Sequence, residues 1–339
     1  MDVSVVLCTY NRCECLAKAL ESLSTQQVNG IRYEIVVVNN NSTDSTQQII
    51  DSFVLRDSHF RCQFEEKQGL SYARNCGIDA ARAPVIAFTD DDIVFPRDWI
   101  QSVYDAAIRY PAADFIGGQV VPVLDTPLPS WAKVTMAPFA LQQYGDEPFT
   151  VDKSNPRFLI GACLIVRRSV FEKVGRFDPR TQRVKDGVGS TEDADWEARV
   201  WNSGGHGVYV PAVVCYSDIA KDRLTKAYHR RWHLGHGRFN ARGRRSDFEI
   251  ASRRILGIPA WFYRQTIEAA LSVPIGYLKE NPGEAFEQEA MLLFRLGYIW
   301  ERWRAQLNIA KRAFRLSPNC NSPLKEPQLD ATLHCRTDL

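Results

Sequence analysis

Val85-Ile-Ala-Phe-Thr-Asp-Asp-Asp92 sets an apolar run directly against three carboxylates. A short run of this kind, ending on turn residues, reads as a strand buried on both faces. Val3–Cys8 and Tyr33–Val38 have the same character. Between the three runs lie segments with apolar residues at helical spacing: Arg12–Leu23, Ser42–Phe53 with Ser42 or Thr43 as its N-cap, and Leu70–Ala81. Alternating strand and helix signals in this order predict an α/β fold with a parallel, doubly wound sheet. In such sheets ligands bind at the carboxyl ends of the strands. Three loops therefore matter first: Thr9–Arg12, Asn39–Asp44 and Asp90–Asp92.

Outward from that core, 339 residues are long for one compact domain, so a large domain with an appendage is expected. Hydrophobic residues at 45% supply a sizeable core, and a net charge of +2 excludes a polycation. Nucleic acid is not an expected partner. Nine cysteines are an odd number for a disulfide framework. Cys8, Cys163 and Cys215 sit in apolar runs, and the Cys13/Cys15 pair has no second pair at zinc spacing. A reducing, cytoplasmic location follows as an expectation, with no secretory leader and no transmembrane span.

The middle of the chain reads differently. Val121–Pro156 is rich in proline and reads as loop and insertion, Phe158–Val166 as a strand and Ser169–Val174 as a short helix. Glu192–Asn202 reads as a helix and Val208–Tyr216 as the last strand. Lys221–Arg245 then carries nine Lys or Arg against one acid, and Ile255–Leu316 is helical and aromatic. The expected organisation is a catalytic unit over 1–220 (halves 1–120 and 121–220), a basic and amphipathic helical extension over 221–316, and a flexible tail over 317–339.

Packing carboxylates together costs free energy unless a cation or protons compensate. Oxygen-rich clusters suit Mg²⁺ or Mn²⁺, which keep substrate phosphates as further ligands. The alternative for Asp90-Asp91-Asp92 is a solvated acidic turn, against which its strand-end position argues. Glu192-Asp193 is a second carboxylate pair, behind Thr191 at the start of a helix. Helix capping alone accounts for it, because acids are favourable at helix N-termini. A catalytic base must reach a substrate proton, so this pair counts only if the fold brings it beside the first cluster.

Further stretches flank these two. Val3-Ser-Val-Val-Leu-Cys-Thr-Tyr-Asn-Arg12, Glu34-Ile-Val-Val-Val-Asn-Asn-Asn-Ser-Thr-Asp44 and Gly69-Leu-Ser-Tyr-Ala-Arg-Asn-Cys-Gly77 precede the acidic turn. Gly161-Ala-Cys-Leu-Ile-Val-Arg-Arg168, Val174-Gly-Arg-Phe-Asp-Pro179 and Glu192-Asp-Ala-Asp-Trp-Glu197 follow it. In this order, over residues 1–217, the chain resembles the family 2 glycosyltransferases. The resemblance implies a GT-A fold, a nucleotide diphosphate sugar donor, a divalent metal (Mn²⁺ or Mg²⁺) and inversion at the anomeric centre. By that resemblance Thr9, Tyr10, Asn11 and Arg12 line the base and ribose, and Arg74 lies near the diphosphate. Asp90 and Asp91 belong to the donor side, and Asp92, with Asp90, holds the metal. Asp193 is the base, with Glu192 second.

The sequence also departs from the family pattern. Asn39 and Asn40 stand where the family has an acid that accepts from uracil. An amide oxygen also accepts, so a UDP-sugar remains favoured. Ser217 stands in place of a late-strand histidine, which leaves His229 or His233, one helical turn apart, as the expected third metal ligand, with His236 a further candidate. Arg230 or Arg231 would stabilise the leaving group. Arg231-Trp232 is similar to the end of the Q-x-x-R-W signature of processive members, but Tyr228 replaces the glutamine. That departure points to transfer of a single sugar, to a saccharide or lipid-linked acceptor.

A sugar-phosphate nucleotidylyltransferase would want a glycine-rich loop after the first strand, and Cys8-Thr-Tyr-Asn-Arg12 contains none. A degenerate sugar-nucleotide-binding module would not need both acidic pairs. The C-terminal helices, with basic and large aromatic residues, suit either packing (on the catalytic unit or in a homodimer) or docking on a membrane surface.

Overall fold

The computed structural model describes residues 1–133, 135–182, 191–243, 253–278 and 282–316. Its first half is β1 (Val3–Thr9), α1 (Cys13–Ser24), β2 (Tyr33–Asn39), α2 (Thr46–Arg56), β3 (Phe60–Phe64), α3 (Leu70–Ala80) and β4 (Val85–Asp90). The second adds β5 (Ile93–Val94), α4 (Trp99–Arg109), β6 (Phe115–Val123), β7 (Phe149–Val151), β8 (Leu164–Arg167), α5 (Arg168–Val174), α6 (Glu192–Asn202) and β9 (Gly207–Asp218). Among the described residues these strands form one nine-stranded sheet in the order β3-β2-β1-β4-β8-β6-β9-β5, with β7 on β9. β1, β2, β3 and β4 are parallel, as are β6 and β9, while β8 runs antiparallel between β4 and β6.

Every residue of β1 and β2 is buried, as uninterrupted apolar strands covered on both faces require. Leu7, Leu16, Leu20 and Val103 fill one side of the sheet, and Val6, Val38, Phe88 and Trp196 the other. The register pairs Thr9 with Asn39 and Cys8 with Asp90, so the three loops named above leave the sheet at one edge.

Several local expectations need correction. The run Phe158–Val166 is a strand only from Leu164. Ahead of it the amides of Leu159, Ile160 and Gly161 donate to the side chains of Glu197, Gln142 and Asp193, and Gly161–Cys163 is a 3₁₀ turn. Those donors are spent on side chains, so no ladder forms. Val121–Pro156 is not all loop: β6 runs into it and β7 lies within it. α2 starts at Thr46, whose N–H donates to Asp44 rather than to Ser42 or Thr43. Pro274 lies inside a helix without ending it.

The C-terminal part consists of α7 (Lys226–Gly243), a small hairpin of β10 (Arg254–Ile255) and β11 (Ile258–Pro259), α8 (Ala260–Leu278) and α9 (Pro282–Leu316). α7 and α9 cross closely. A Cβ on Gly237 would come within 2.0 Å of the Phe294 carbonyl, and one on Gly297 within 2.1 Å of the Leu234 carbonyl. Only glycine at both positions allows that approach. Lys133 ties the preceding loop to Glu287 of α9 at 2.7 Å. The expected tail from 317 lies outside the described residues, as do Arg244 and Arg245. No helix among the described residues is long and apolar enough to cross a membrane.

Candidate active site

The first two loops are tied together by their own side chains. Asn11, at φ 50, accepts from the Thr43 N–H at 2.7 Å and donates its own N–H to Ser42 Oγ at 3.1 Å. Asparagine tolerates this left-handed conformation better than most residues. Asn39 and Asn40 are buried, and both amide oxygens accept from the backbone: Asn39 from Ser42 at 2.9 Å, Asn40 from Gly69 at 2.8 Å. Asn40 also donates to the carbonyls of Glu65 and Lys67. Where a base contact was expected of these amides, their oxygens each brace a loop. Tyr10 is half-buried and Asn11 exposed at the same edge.

The acidic turn meets a cluster of arginines. Asp91 is buried; Thr9 Oγ1 donates to it at 2.8 Å and Arg12 Nη1 at 2.6 Å. Burial raises its pKa to about 6, outweighing the opposite pull of Arg12. Arg12 Nη2 reaches Asp92 at 3.2 Å, and Arg223 Nη2 reaches the same oxygen at 2.9 Å. The Asp92 carbonyl accepts from the Asp218 N–H, which fixes the turn to the end of β9. Asp90 is the most open of the three, with its side chain 30% exposed.

The second carboxylate pair arrives from α6. Arg74, itself buried, donates to Glu192 Oε1 at 2.9 Å and lies 3.5 Å from Asp90 Oδ1. Thus one guanidinium spans both acidic motifs, which are about a hundred residues apart. Gly161 makes room for it: a Cβ there would stand 2.2 Å from Arg74 Nη2. Asp193 is less buried than Glu192 and accepts from the N–H of Gly161 at 3.2 Å and of Ala194 at 2.8 Å. The two acids differ in contacts: Glu192 holds Arg74, while Asp193 lies beside the Gly161 turn.

Four expected residues fall elsewhere. Arg230 pairs with Glu289 of α9 at 2.6 Å, and Arg231 is exposed beside the Tyr228 ring. His229 is buried between Trp131 and Phe139, with Nε2 3.0 Å from the Arg223 carbonyl. His233 is largely buried next to the Trp232 ring, and burial lowers its pKa to about 4. The expectation of a third histidine ligand is therefore corrected, because aromatic packing and a backbone contact hold these rings. Among the described residues of the basic segment, Arg223 joins Arg12 at the turn. Its presence in a basic segment was visible, but which of nine cations folds back onto Asp92 was not.

Asp90 and Asp92 offer hard oxygen donors of the kind Mg²⁺ and Mn²⁺ take. Among the described residues no group of three or more His, Cys, Asp or Glu is arranged to hold a metal. These donors fit a metal that draws its other ligands from phosphates and water.

A mostly parallel sheet with the antiparallel strand β8 inserted and antiparallel β5 and β7 beside β9, helices on both faces and an acidic turn at the strand ends is the arrangement of the GT-A fold. Residues 4–175 match the family described as Glycosyl transferase family 2. The chain belongs to that family. It is 28% identical over 211 residues to the glucosyl-dolichyl phosphate glucuronosyltransferase of Haloferax volcanii, covering 61% of this chain and 66% of that relative. The match thus spans slightly under two-thirds of the relative's length. Among solved structures, a mannosyltransferase from Pyrobaculum calidifontis in complex with GDP-Man and Mn²⁺ superposes with a TM-score of 0.52 at 17% identity, covering 94% of this chain and 88% of that one. S. aureus TarS 1–349 in complex with UDP-GlcNAc gives 0.53 at 17% identity, with 92% of each chain covered. At that identity the likeness is one of fold.

Proposed function

We propose that the protein is an inverting glycosyltransferase that moves a single sugar from a nucleotide diphosphate sugar, with a UDP-sugar favoured. The acceptor is a saccharide or a lipid-linked saccharide on the cytoplasmic side, in cell-envelope or extracellular glycan synthesis. The observation that carries this reading is Arg74, whose guanidinium joins Glu192 to Asp90 and so brings the base-bearing helix beside the acidic turn.

In this reading the acceptor hydroxyl attacks the anomeric carbon as the nucleoside diphosphate leaves from the opposite face. Asp193 takes the hydroxyl proton, a contribution of about 10²–10⁴ in rate. Glu192 keeps Arg74 oriented. Arg12 and Arg223, already converging on Asp92, accept the charge that develops on the leaving diphosphate. A divalent metal held by Asp92 and Asp90 would supply Lewis-acid stabilisation of the same phosphates. The nucleotides in the structural relatives, GDP-Man and UDP-GlcNAc, support the donor class and leave uridine to experiment.

The test is thermal unfolding with UDP, GDP and their sugars, with Mn²⁺ or with EDTA, followed by donor hydrolysis. A ligand at a hundred times its Kd stabilises by about 2.7 kcal/mol. Metal-dependent stabilisation by UDP above GDP, with slow release of free sugar from the donor, is the expected result. Pyrophosphate-dependent nucleotide exchange instead would indicate a nucleotidylyltransferase. Stabilisation without turnover on any acceptor or water would indicate a binding module.

A further inference from the structure

Among the described residues, most of the exposed large apolar side chains belong to the C-terminal hairpin and helices. On α8, Ile267, Leu271, Ile275 and Leu278 are 61%, 68%, 54% and 86% exposed. Their spacing puts them on one face, and Ala269–Leu278 contains no charged residue. On α9, Leu296, Trp300, Trp303 and Leu307 repeat the pattern and are also exposed. Trp303 Nε1 donates to Tyr263 OH at 2.8 Å, which joins the two helices at one end of this surface. At that end the β10–β11 turn carries Ile255 and Leu256, 54% and 58% exposed, with Leu256 held at φ 48. Arg302 of α9 donates to the Gly257 carbonyl at 3.1 Å and fixes the turn beside the helices. Leucine in the left-handed region is costly, and here it turns an apolar side chain outward.

The charges around this end are mostly positive, with Glu268 of α8 placed 3.6 Å from Arg264. Residues 253–264 and 295–307 together contain six arginines and one glutamate, Glu301. Arg238 and Arg242 of α7 hold Glu301 at 3.2 and 2.9 Å, so its charge is offset from behind.

We propose that the Ile255–Leu256 turn and the exposed faces of α8 and α9 dock on an anionic lipid surface. Tryptophan and tyrosine favour the headgroup region, apolar side chains insert beneath it, and arginines are drawn to anionic lipid. A second copy of the chain fits less well. A two-fold interface sets a patch against itself, so a net positive patch would meet its own charge. No described helix is both long and apolar enough to cross a bilayer, and the proposal is of a surface that lies on one. α7 packs on α9 and begins three residues after Arg223, so docking would hold the active site close to the lipid. The inference deepens the reading of a lipid-linked acceptor, but its test uses neither donor nor acceptor.

The experiment is co-sedimentation of the full chain with phosphatidylcholine vesicles, with and without phosphatidylglycerol, at low and high salt. The expected result is binding to the anionic vesicles at low salt, weakened by salt. The double variant Leu256→Asn with Trp300→Ala should lower partitioning about tenfold or more, because both side chains are exposed and apolar. Its UDP-induced thermal shift should match the parent's, which would show that the fold and donor site are intact. The proposal is overturned if the parent stays in the supernatant with anionic vesicles, or if the double variant binds equally. A parent dimer that the double variant converts to monomer in sedimentation equilibrium would instead assign the surface to a second copy.

Discussion

Arg223 Nη2 lies 2.9 Å from Asp92 Oδ2, across 131 residues of sequence, and Arg12 Nη2 reaches the same oxygen at 3.2 Å. Two guanidiniums therefore compensate the carboxylate that the family pattern assigns to the metal. Arg223 is only 13% exposed, so this is a desolvated contact and not a surface pair. It also links the C-terminal segment to the donor edge of the sheet. Arg223→Gln should weaken UDP binding and lower kcat/KM by about 10²–10³, the size expected for one charged donor to a leaving group. Mn²⁺ binding, followed by electron paramagnetic resonance, should be no weaker, because the variant removes a cation that competes for Asp92. Unchanged UDP affinity and turnover would leave Arg223 a purely structural residue.

Metal removal addresses the same turn from the other side. EDTA should abolish transfer and Mn²⁺ or Mg²⁺ restore it. Asp92→Asn should remove most activity, since one metal clamp contributes several kcal/mol in the transition state. Its melting temperature should also fall, because Arg12 and Arg223 both lose a charged partner. Asp90→Asn, at the more open position, should chiefly raise the donor KM. Full activity of Asp92→Asn in metal-free buffer would remove the metal from the mechanism.

The two acids at the start of α6 should separate cleanly. Asp193→Asn is expected to bind donor normally and to lose about 10²–10⁴ in kcat, the signature of a base that acts only in the transition state. Glu192→Gln leaves the buried Arg74 with only the 3.5 Å contact to Asp90 among the ion pairs described. Breaking a buried pair by removing one partner costs about 3–5 kcal/mol. Glu192→Gln should therefore show its effect first in thermal stability. If instead it folds like the parent and loses only kcat, the base assignment moves to Glu192.

The parallel half of the sheet was legible because Val3–Cys8, Tyr33–Val38 and Val85–Thr89 are continuous apolar runs, which few other structures accommodate. β3 was not, because of its five residues only Phe60 is buried and the edge position imposes little pattern. α4 was not among the expected helices, although it carries Trp99, Ile100, Val103, Ala106 and Ala107 at the same helical spacing as α1. The run ahead of β8 misled for a specific reason: apolar periodicity says nothing about side chains such as Glu197, Gln142 and Asp193 that capture its amides. The site divides in the same way. Asp90 and Asp92 were proposed from motif and strand-end position, and Asp193 from motif alone. Arg223 depends on how the basic segment folds back, and the buried roles of Asn39, Asn40 and Glu192 depend on contacts across loops. Single-sequence patterns do not encode such contacts.

His233 lies in α7 near His229, and burial first, then the His229 ring, lowers its pKa from the usual 6.5 to about 4. Burial lowers that of His229 as well. Between those pH values the unfolded chain binds a proton at His233 that the folded chain refuses. Stability is therefore fully present above about pH 6.5, falls as the pH drops towards 4, and levels off below. For His233 alone the limiting size is about 3 kcal/mol. Thermal unfolding monitored from pH 7 to pH 4 should show the slope, and His233→Gln should flatten part of it, since glutamine takes up no proton. The loss should appear first in tryptophan fluorescence from the C-terminal region, where Trp232 contacts the His233 ring at 5.0 Å. An identical pH slope in the parent and in His233→Gln would mean that the imidazole is already solvated in the folded protein, and that α7 does not exclude water there.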